Sequence, residues 1–260
     1  MHRWAGVLLA LLMNGFLVGQ MWVVRGAALS PGPAEAVVVR EDEVHRRPVK
    51  AGERTVLEVS TTGLLEVVVY ERTGDARELE EFRAGRVPRT AKVFSQVREL
   101  SYPLSSVTDT EFYVRVRHLR PGETRLRYVP GLVDEAMARL RKGENLVRNR
   151  GVVVVEGGRL TMPVYQLVPG TVVRVEVQSG RGVVGLLKTR DYLDVRDGRA
   201  TVAGRCTPQA CVEASSGRAV LEVAVGDYDD RYLVAEGQGL VFTYRVVATP
   251  EVLNHISSCT

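Results

Sequence analysis

The feature that most constrains the fold is a long series of short apolar runs, rich in β-branched residues and separated by turn signals, that begins near residue 36. Half-buried strands alternate apolar and polar side chains, and clusters of Gly, Pro and Asp mark the turns between them. The run at 111–118 alternates in this way and places Phe112, Val114 and Val116 on one face. The series therefore predicts an all-β chain built from sandwich-like sheets.

Two pairs of runs give the chain two similar halves. The run at 55–60 alternates, and after a turn predicted at 61–63 the run at 64–70 is apolar nearly throughout, which is typical of a central strand. The runs at 173–178 and 183–187 repeat this outline around another glycine-containing turn. The repeat favours an internal duplication, although valine-rich strands of low complexity can imitate one.

A helix predicted at 132–143 divides the halves. Apolar residues recur there at helical spacing, acids come early and bases late, and Gly143 ends the segment. We therefore expect two tandem β-sandwich-like domains, at 36–131 and 151–248, joined by a linker helix within 132–150 and followed by a tail at 249–260. Further elements are expected as a short helix at 75–82 and as strands at 37–40, 91–97, 124–129, 200–203, 219–225, 232–235 and 240–247.

The N-terminal segment is uncharged from Trp4 to Val24, and a helix of this length at ~1.5 Å per residue spans ~30 Å, the thickness of the hydrocarbon core of a bilayer. We interpret residues 1–25 as a transmembrane anchor and residues 26–35 as a Pro/Gly linker. The rest of the chain, which we call the body, is expected to face outwards from the cell membrane. Two alternatives stay open, a cleaved secretory signal and a pilin-type processed helix.

Within the anchor, Gly15 and Gly19 form a GxxxG motif beside Asn14 and Gln20. Small residues four positions apart let two membrane helices approach closely, so the motif predicts self-association of the anchor. The alternative is that glycines are common in membrane segments.

The cysteines predict one local disulfide. Cys206 and Cys211 bracket a short Thr-Pro-Gln-Ala loop, and a bridge between them is expected if the body lies in an oxidising compartment. Cys259 is left as either a free thiol or an intermolecular link. The four histidines are scattered, so no transition-metal centre and no cofactor is expected.

An acidic turn that holds Asp227, Asp229 and Asp230 is a weak candidate for a calcium site, since calcium prefers carboxylate and carbonyl oxygens. The alternative is that these are ordinary solvated turn residues.

Four arginines form the predicted interaction surface. If the run at 111–118 pairs with 124–129 as a hairpin, Arg115 and Arg117 lie across from Arg125 and Arg127, and one sheet face carries a positive stripe. Such a stripe could meet anionic lipid, an acidic protein or acidic glycans. The alternative is that the arginines pair with acids on neighbouring strands, namely Glu66, Glu78, Glu80 or Glu81.

Composition narrows the function classes. The net charge of +4 includes two arginines that flank the anchor, so the body is not basic enough to indicate a nucleic-acid binder. The basic residues are nearly all arginine, and Asn and Gln are scarce, which favours a heat-adapted prokaryote; a GC-rich genome is the alternative cause of the arginine bias. No local hydrolase, phosphate-loop or dinucleotide motif occurs, so an enzyme is not expected, except as a hydrolase assembled from distant residues.

These features together predict a membrane-anchored, outward-facing protein of the cell envelope with a structural, adhesion or protein-binding role. The alternative is an accessory ectodomain subunit of a membrane complex, such as a transporter or a secretion machine.

Overall fold

The computed structural model describes residues 35–38, 43–72, 75–165, 167–215 and 218–257. Of these residues, 59% lie in strands and 16% in helices, so the predicted all-β class is confirmed. The predicted anchor, with Gly15 and Gly19, lies outside the described residues. Among the residues that are described, no helix is long and apolar enough to cross a membrane.

The elements follow the chain in a simple order. The strands are β1 (Glu35–Val38), β2 (Val44–Val49), β3 (Arg54–Glu71), β4 (Lys92–Ser105), β5 (Thr110–Arg120), β6 (Thr124–Val129), β7 (Leu146–Val164), β8 (Thr171–Lys188), β9 (Cys211–Ala214), β10 (Ala219–Val225) and β11 (Arg231–Ala248). The helices are α1 (Ala76–Arg83), α2 (Val133–Arg141), α3 (Thr189–Arg196), α4 (Val202–Arg205) and α5 (Val252–Ser257).

All eleven described strands belong to one antiparallel sheet with β7 near its centre. β7 pairs with β4 on one side and β11 on the other, followed outwards by β3 and β8. β6 and β5 then border β3, and β10 and β9 border β8, so the spatial order is mirrored about β7. The connectivity is not mirrored, because β4 directly follows β3 whereas β11 is the last strand. Two tandem domains are therefore not shown, and the sheet continues across the boundary predicted at 131–151.

The turns predicted inside the long runs are wrong, because β3 and β8 continue through them as bent strands. At the bend of β3, a Cβ on Gly63 would lie 2.3 Å from the carbonyl oxygen of Arg120, so only glycine allows the neighbouring backbone this close. Gly182 in β8 has φ +152°, and a Cβ there would lie 2.2 Å from the carbonyl oxygen of Glu236. The partners change at each bend, from β6 to β5 along β3 and from β10 to β9 along β8.

The core lies on the inner face of the bent sheet, which makes the fold sandwich-like. One cluster of buried side chains includes Leu57 and Val116 from the first half and Val175 and Phe242 from the second. The alternation predicted for β5 is confirmed, because Phe112, Val114 and Val116 all belong to this cluster.

The described helices that cover the outer face of the sheet lie beyond the bends. α1 packs on β3 and β5 through a cluster of Val68, Tyr70, Leu79, Phe82 and Tyr113. α3 and α4 pack on β8 and β11 through a cluster of Leu187, Val195, Val202 and Val234. β3 is consequently buried on both faces beyond its bend, as its apolar sequence predicts.

Two predicted helices are confirmed, as α1 and α2, whereas the segments at 200–203 and 249–260 differ from expectation. The strand predicted at 200–203 is wrong, because α4 begins at Val202 with the Thr201 hydroxyl accepting a hydrogen bond from the Gly204 N–H at 3.0 Å. The tail contains α5, which packs with α2 through Val252, Met137 and Leu140.

Candidate binding surface

Before the bends none of the described helices packs on the outer side of the sheet, and this side carries a row of polar side chains that we call the charged face. Successive members are direct partners across seven adjacent strands, in the order Arg127, Glu58, Ser101, Arg150, Arg245, Arg174 and Glu222. Residues directly opposite in antiparallel strands project to the same side. Their chain neighbours Leu57, Leu126 and Tyr244 are buried in the core, so the row points away from it.

The charges of this face are paired at its ends and unpaired at its centre. Arg127 lies 4.0 Å from Glu58, and Arg174 lies 2.8 Å from Glu176. Arg150 and Arg245 face each other across β7 and β11, and neither side chain makes an ion pair or hydrogen bond within the described part of the chain. Like charges directly opposite are unfavourable, so the pair leaves an unneutralised positive centre.

A groove of about 820 Å³ lies over the charged face between β6 and β11. Four exposed arginines and two glutamates line it, together with three hydroxyl side chains: Arg125, Arg127, Arg150, Arg245, Glu58, Glu99, Ser60, Ser101 and Thr243. The guanidinium groups outnumber the carboxylates, so the groove suits a ligand that carries negative charge.

The four arginines of the predicted stripe lie in two separate parts of the sheet. β5 pairs with β3 beyond its bend and β6 pairs with β3 before it, so these two strands do not form the expected hairpin. The expectation that Arg115 and Arg117 lie across from Arg125 and Arg127 is therefore wrong.

Arg115 also lies in the interior. Its side chain is only 7% exposed, and Nη1 donates to the carbonyl oxygens of Phe82 at 2.9 Å and Arg86 at 3.5 Å. The guanidinium lies 5.0 Å from the centre of the Phe82 ring, a cation–π contact. Arg115 therefore fixes the C-terminal end of α1 and is not available to an external partner.

The other three arginines of the stripe are exposed. Arg117 lies 3.3 Å from Glu66, one of the acids that the alternative interpretation names. Arg125 and Arg127 line the groove, so the structure joins them to Arg150 and Arg245 instead of to Arg115 and Arg117. A role in interaction for Arg117, Arg125 and Arg127 stays a prediction.

The Cys206–Cys211 pair lies at disulfide distance as predicted, with Cα atoms 5.3 Å apart. The bridge joins the end of α4 to the start of β9. Gly185 of β8 leaves room for it, because a Cβ at that position would lie 2.6 Å from Cys211 Sγ. Cys259 lies outside the described residues.

The acidic turn at the start of β11 is engaged by cations of the chain. Lys188 Nζ lies 2.5 Å from Asp227 and 3.1 Å from Asp229, and Arg231 donates to Asp227 at 2.9 Å. The Lys188 ammonium, with Arg231, holds the pKa of the Asp227 carboxyl below its usual range. Over the described ranges, no three His, Cys, Asp or Glu side chains are grouped to hold a metal ion. The calcium site at Asp227, Asp229 and Asp230 stays a prediction.

Sequence alone assigned no role to Arg150 or Arg245. The available signal is their alternation with buried neighbours, since Asn149 and Tyr244 point inwards. That alternation indicates an outward side chain but does not indicate which distant strand lies next to it.

No family model and no curated protein matches this chain. It is similar to a conserved protein of unknown function from Pseudomonas aeruginosa PAO1, at 9% identity over 83% of this chain and 89% of that chain, with a TM-score of 0.25. It is also similar to a protein from Geobacillus kaustophilus, at 10% identity over 84% and 81% of the two chains and a TM-score of 0.28. The major capsid protein of bacteriophage PM2 is 9% identical over 83% and 97%, with a TM-score of 0.26. At these values the likeness carries no argument about function.

Proposed function

We propose that this chain is a membrane-anchored, outward-facing protein of the cell envelope, whose β-sandwich-like body has a structural, adhesion or protein-binding role. The charged face is the observation that carries the proposal. Arginine is enriched in protein interfaces, and unneutralised guanidinium groups held on a sheet are suited to acidic groups of a partner.

Two further features support the location. The segment from Trp4 to Val24 is long enough to span a bilayer. The Cys206–Cys211 pair supports an oxidising compartment, because disulfides persist mainly outside the cytoplasm. Intracellular disulfides also occur in hyperthermophiles, so the location needs a test that does not depend on the cysteines.

The test is cell fractionation with protease treatment of intact and lysed cells, followed by purification from native membranes. We expect the chain to stay with alkali-washed membranes and the body to be cleaved in intact cells. Recovery in surface-layer or filament fractions favours an adhesion role, whereas stoichiometric co-purification with a multi-span protein favours an accessory ectodomain subunit. A chain that is recovered in the cytoplasmic fraction and is protected in intact cells overturns the proposal.

A further inference from the structure

We propose that the groove on the charged face binds an acidic, extended peptide segment of a protein partner. One carboxylate of the segment lies at Arg150, within reach of Arg245, and a second lies at Arg125 and Arg127. This inference rests on the proposed protein-binding role and names the chemistry of the partner.

The first contact point is the Arg150–Arg245 pair. Opposite residues on neighbouring antiparallel strands lie about 4.5–5.5 Å apart at Cα, so both guanidinium groups can reach one carboxylate. The planar guanidinium group matches the two oxygens of a carboxylate. Both side chains are exposed and lack an anionic partner in the part of the chain described, so a bound carboxylate would offset their mutual repulsion.

The second contact point is at the other rim of the groove, on β6. Arg125 and Arg127 are two positions apart and therefore project to the same side of the strand. Arg127 has only the 4.0 Å contact with Glu58, and no partner of the Arg125 side chain occurs in the described ranges. The Arg125 guanidinium is thus free to bind an acid, and Arg127 can bind the same acid from its 4.0 Å contact with Glu58.

The spacing of the two points specifies the segment. β6 and β7 are separated by three strand intervals, with β3 and β4 between them, which is roughly 14 Å at ~4.8 Å per interval. An extended peptide advances ~3.4 Å per residue, so about four residues cover this distance. The partner segment therefore carries two acids at positions i and i+4, and they project from the same side of its backbone.

The composition of the groove favours a peptide over a uniform polyanion. Glu58 and Glu99 lie among the arginines and would repel a sulfated or phosphorylated chain with a negative charge on every unit. A peptide can place neutral residues opposite the glutamates and can hydrogen-bond to the nearby hydroxyls of Ser60, Ser101 and Thr243.

The experiment measures binding of the full chain, in detergent micelles, to fluorescent synthetic octapeptides that carry two glutamates separated by two to six positions. We expect the i,i+4 peptide to bind most tightly and its glutamine counterpart to bind at least about tenfold more weakly. Binding should also weaken between about 0.05 and 0.5 M salt, since the groove is solvent-exposed.

Variants locate the site. Arg150→Gln combined with Arg245→Gln should weaken the i,i+4 peptide about tenfold or more, whereas the double lysine variant should lose less because it keeps the charge. Arg139→Gln is the matched control, because Arg139 is an exposed, ion-paired arginine on α2 outside the groove. Thermal unfolding of each variant verifies that it folds.

Binding of the i,i+4 peptide that is lost only in the groove variants supports the inference. Absence of binding, binding that is unchanged by the double glutamine variant, or preference for a sulfated glycan over every octapeptide overturns it. A chain that is recovered at the cell surface with a protein partner, and that retains this partner in the groove variants, overturns the groove assignment and leaves the proposed function intact.

Discussion

The two halves of the sheet bend and are covered in the same way, but they fix the covering helices by different means. In the first half α1 is held by an aromatic cluster, with ring centres of Tyr70, Phe82 and Tyr113 between 5.6 and 6.4 Å apart. In the second half the buried centre of the cluster under α3 and α4 is aliphatic, at Val195 and Val202, and it is bordered by the stacked rings of Tyr192 and Tyr232 and by the disulfide-distance cysteines. Each bent strand thus has a cover on its outer face, held mainly by packing in the first half and partly by a covalent link in the second.

The helix contacts in the two halves should be sensitive to different changes. The contacts of α1 depend on shape and on one buried cation, Arg115, so core substitutions should affect them most. The region of α3 and α4 depends partly on the Cys206–Cys211 bridge, so the redox state of the compartment should affect it. Four predictions test the two halves, in order of decreasing expected effect.

Phe82→Ala should produce the largest loss of stability, about 3–5 kcal/mol, because it removes a fully buried ring and leaves a cavity under α1. The matched change in the second half is Val195→Ala, which also affects a fully buried residue but should cost only about 2 kcal/mol because fewer atoms are removed. Denaturant unfolding of both variants measures the two losses. Equal losses would contradict the difference between the aromatic and aliphatic clusters.

Arg115→Met should lower the free energy of unfolding by about 1.5–3 kcal/mol. The change removes a charge-assisted hydrogen bond to the Phe82 carbonyl, which keeps the Gly85 N–H at 3.1 Å, while it largely preserves the volume of the side chain. Arg117→Met is a close control on the same strand, because its exposed ion pair with Glu66 should contribute no more than about 1 kcal/mol. Chemical denaturation distinguishes them, and a variant of Arg115 as stable as that of Arg117 would exclude its anchoring role.

The different positions of Arg115 and Arg117 show how much of the fold the sequence could predict. Alternation located the strands well, and the predicted runs at 124–129 and 219–225 coincide with β6 and β10. Alternation also places Arg115 and Arg117 on one face, but α1 covers only the first of them. Which side chains a helix covers depends on tertiary packing, which a local pattern does not contain.

The glycine-containing segments failed as turn predictions for a related reason. Gly63 permits either a turn or a bend, and the choice depends on the close backbone of Arg120, which is distant in sequence. The groove could not be predicted from the sequence for the same reason, because Arg150 and Arg245 become neighbours only when β7 pairs with β11. The cysteine pair was predictable because its whole geometry is local.

Replacing Cys206 and Cys211 with serine should lower the free energy of unfolding by about 2 kcal/mol, the loop-closure estimate for such a short loop. Hydrogen exchange should speed up in α3, α4 and β9 and stay unchanged in α1, because the bridge lies only in the second half. Reductant should reproduce the pattern in the native chain. Full alkylation of both thiols in the native protein without reductant would show that the bridge does not form.

Glu111 provides the smallest and most local test, at the edge of the first half where β2 pairs with β5. Its carboxylate accepts hydrogen bonds from Arg46, from the Tyr113 hydroxyl at 2.7 Å and from Arg72 at 3.1 Å. The bond from Arg46 is the main cause that lowers the pKa of Glu111 to about 2. A pKa lowered in the folded state adds stability above the ordinary value of about 4.3, and this contribution is lost as the pH falls towards 2.

Glu111→Gln should therefore reduce stability at pH 7 and flatten the loss between about pH 4.3 and pH 2, because glutamine has no carboxyl group to protonate. Glu123→Gln is the control, since the Glu123 side chain is exposed and makes no ion pair within the described residues. Carboxyl-detected NMR titration measures the Glu111 pKa directly, and denaturant unfolding across the same pH range measures the stability. A Glu111 carboxyl that titrates near its ordinary value would mean that the Arg46, Arg72 and Tyr113 contacts do not stabilise this edge, and that α1 and its aromatic cluster fix the first half without them.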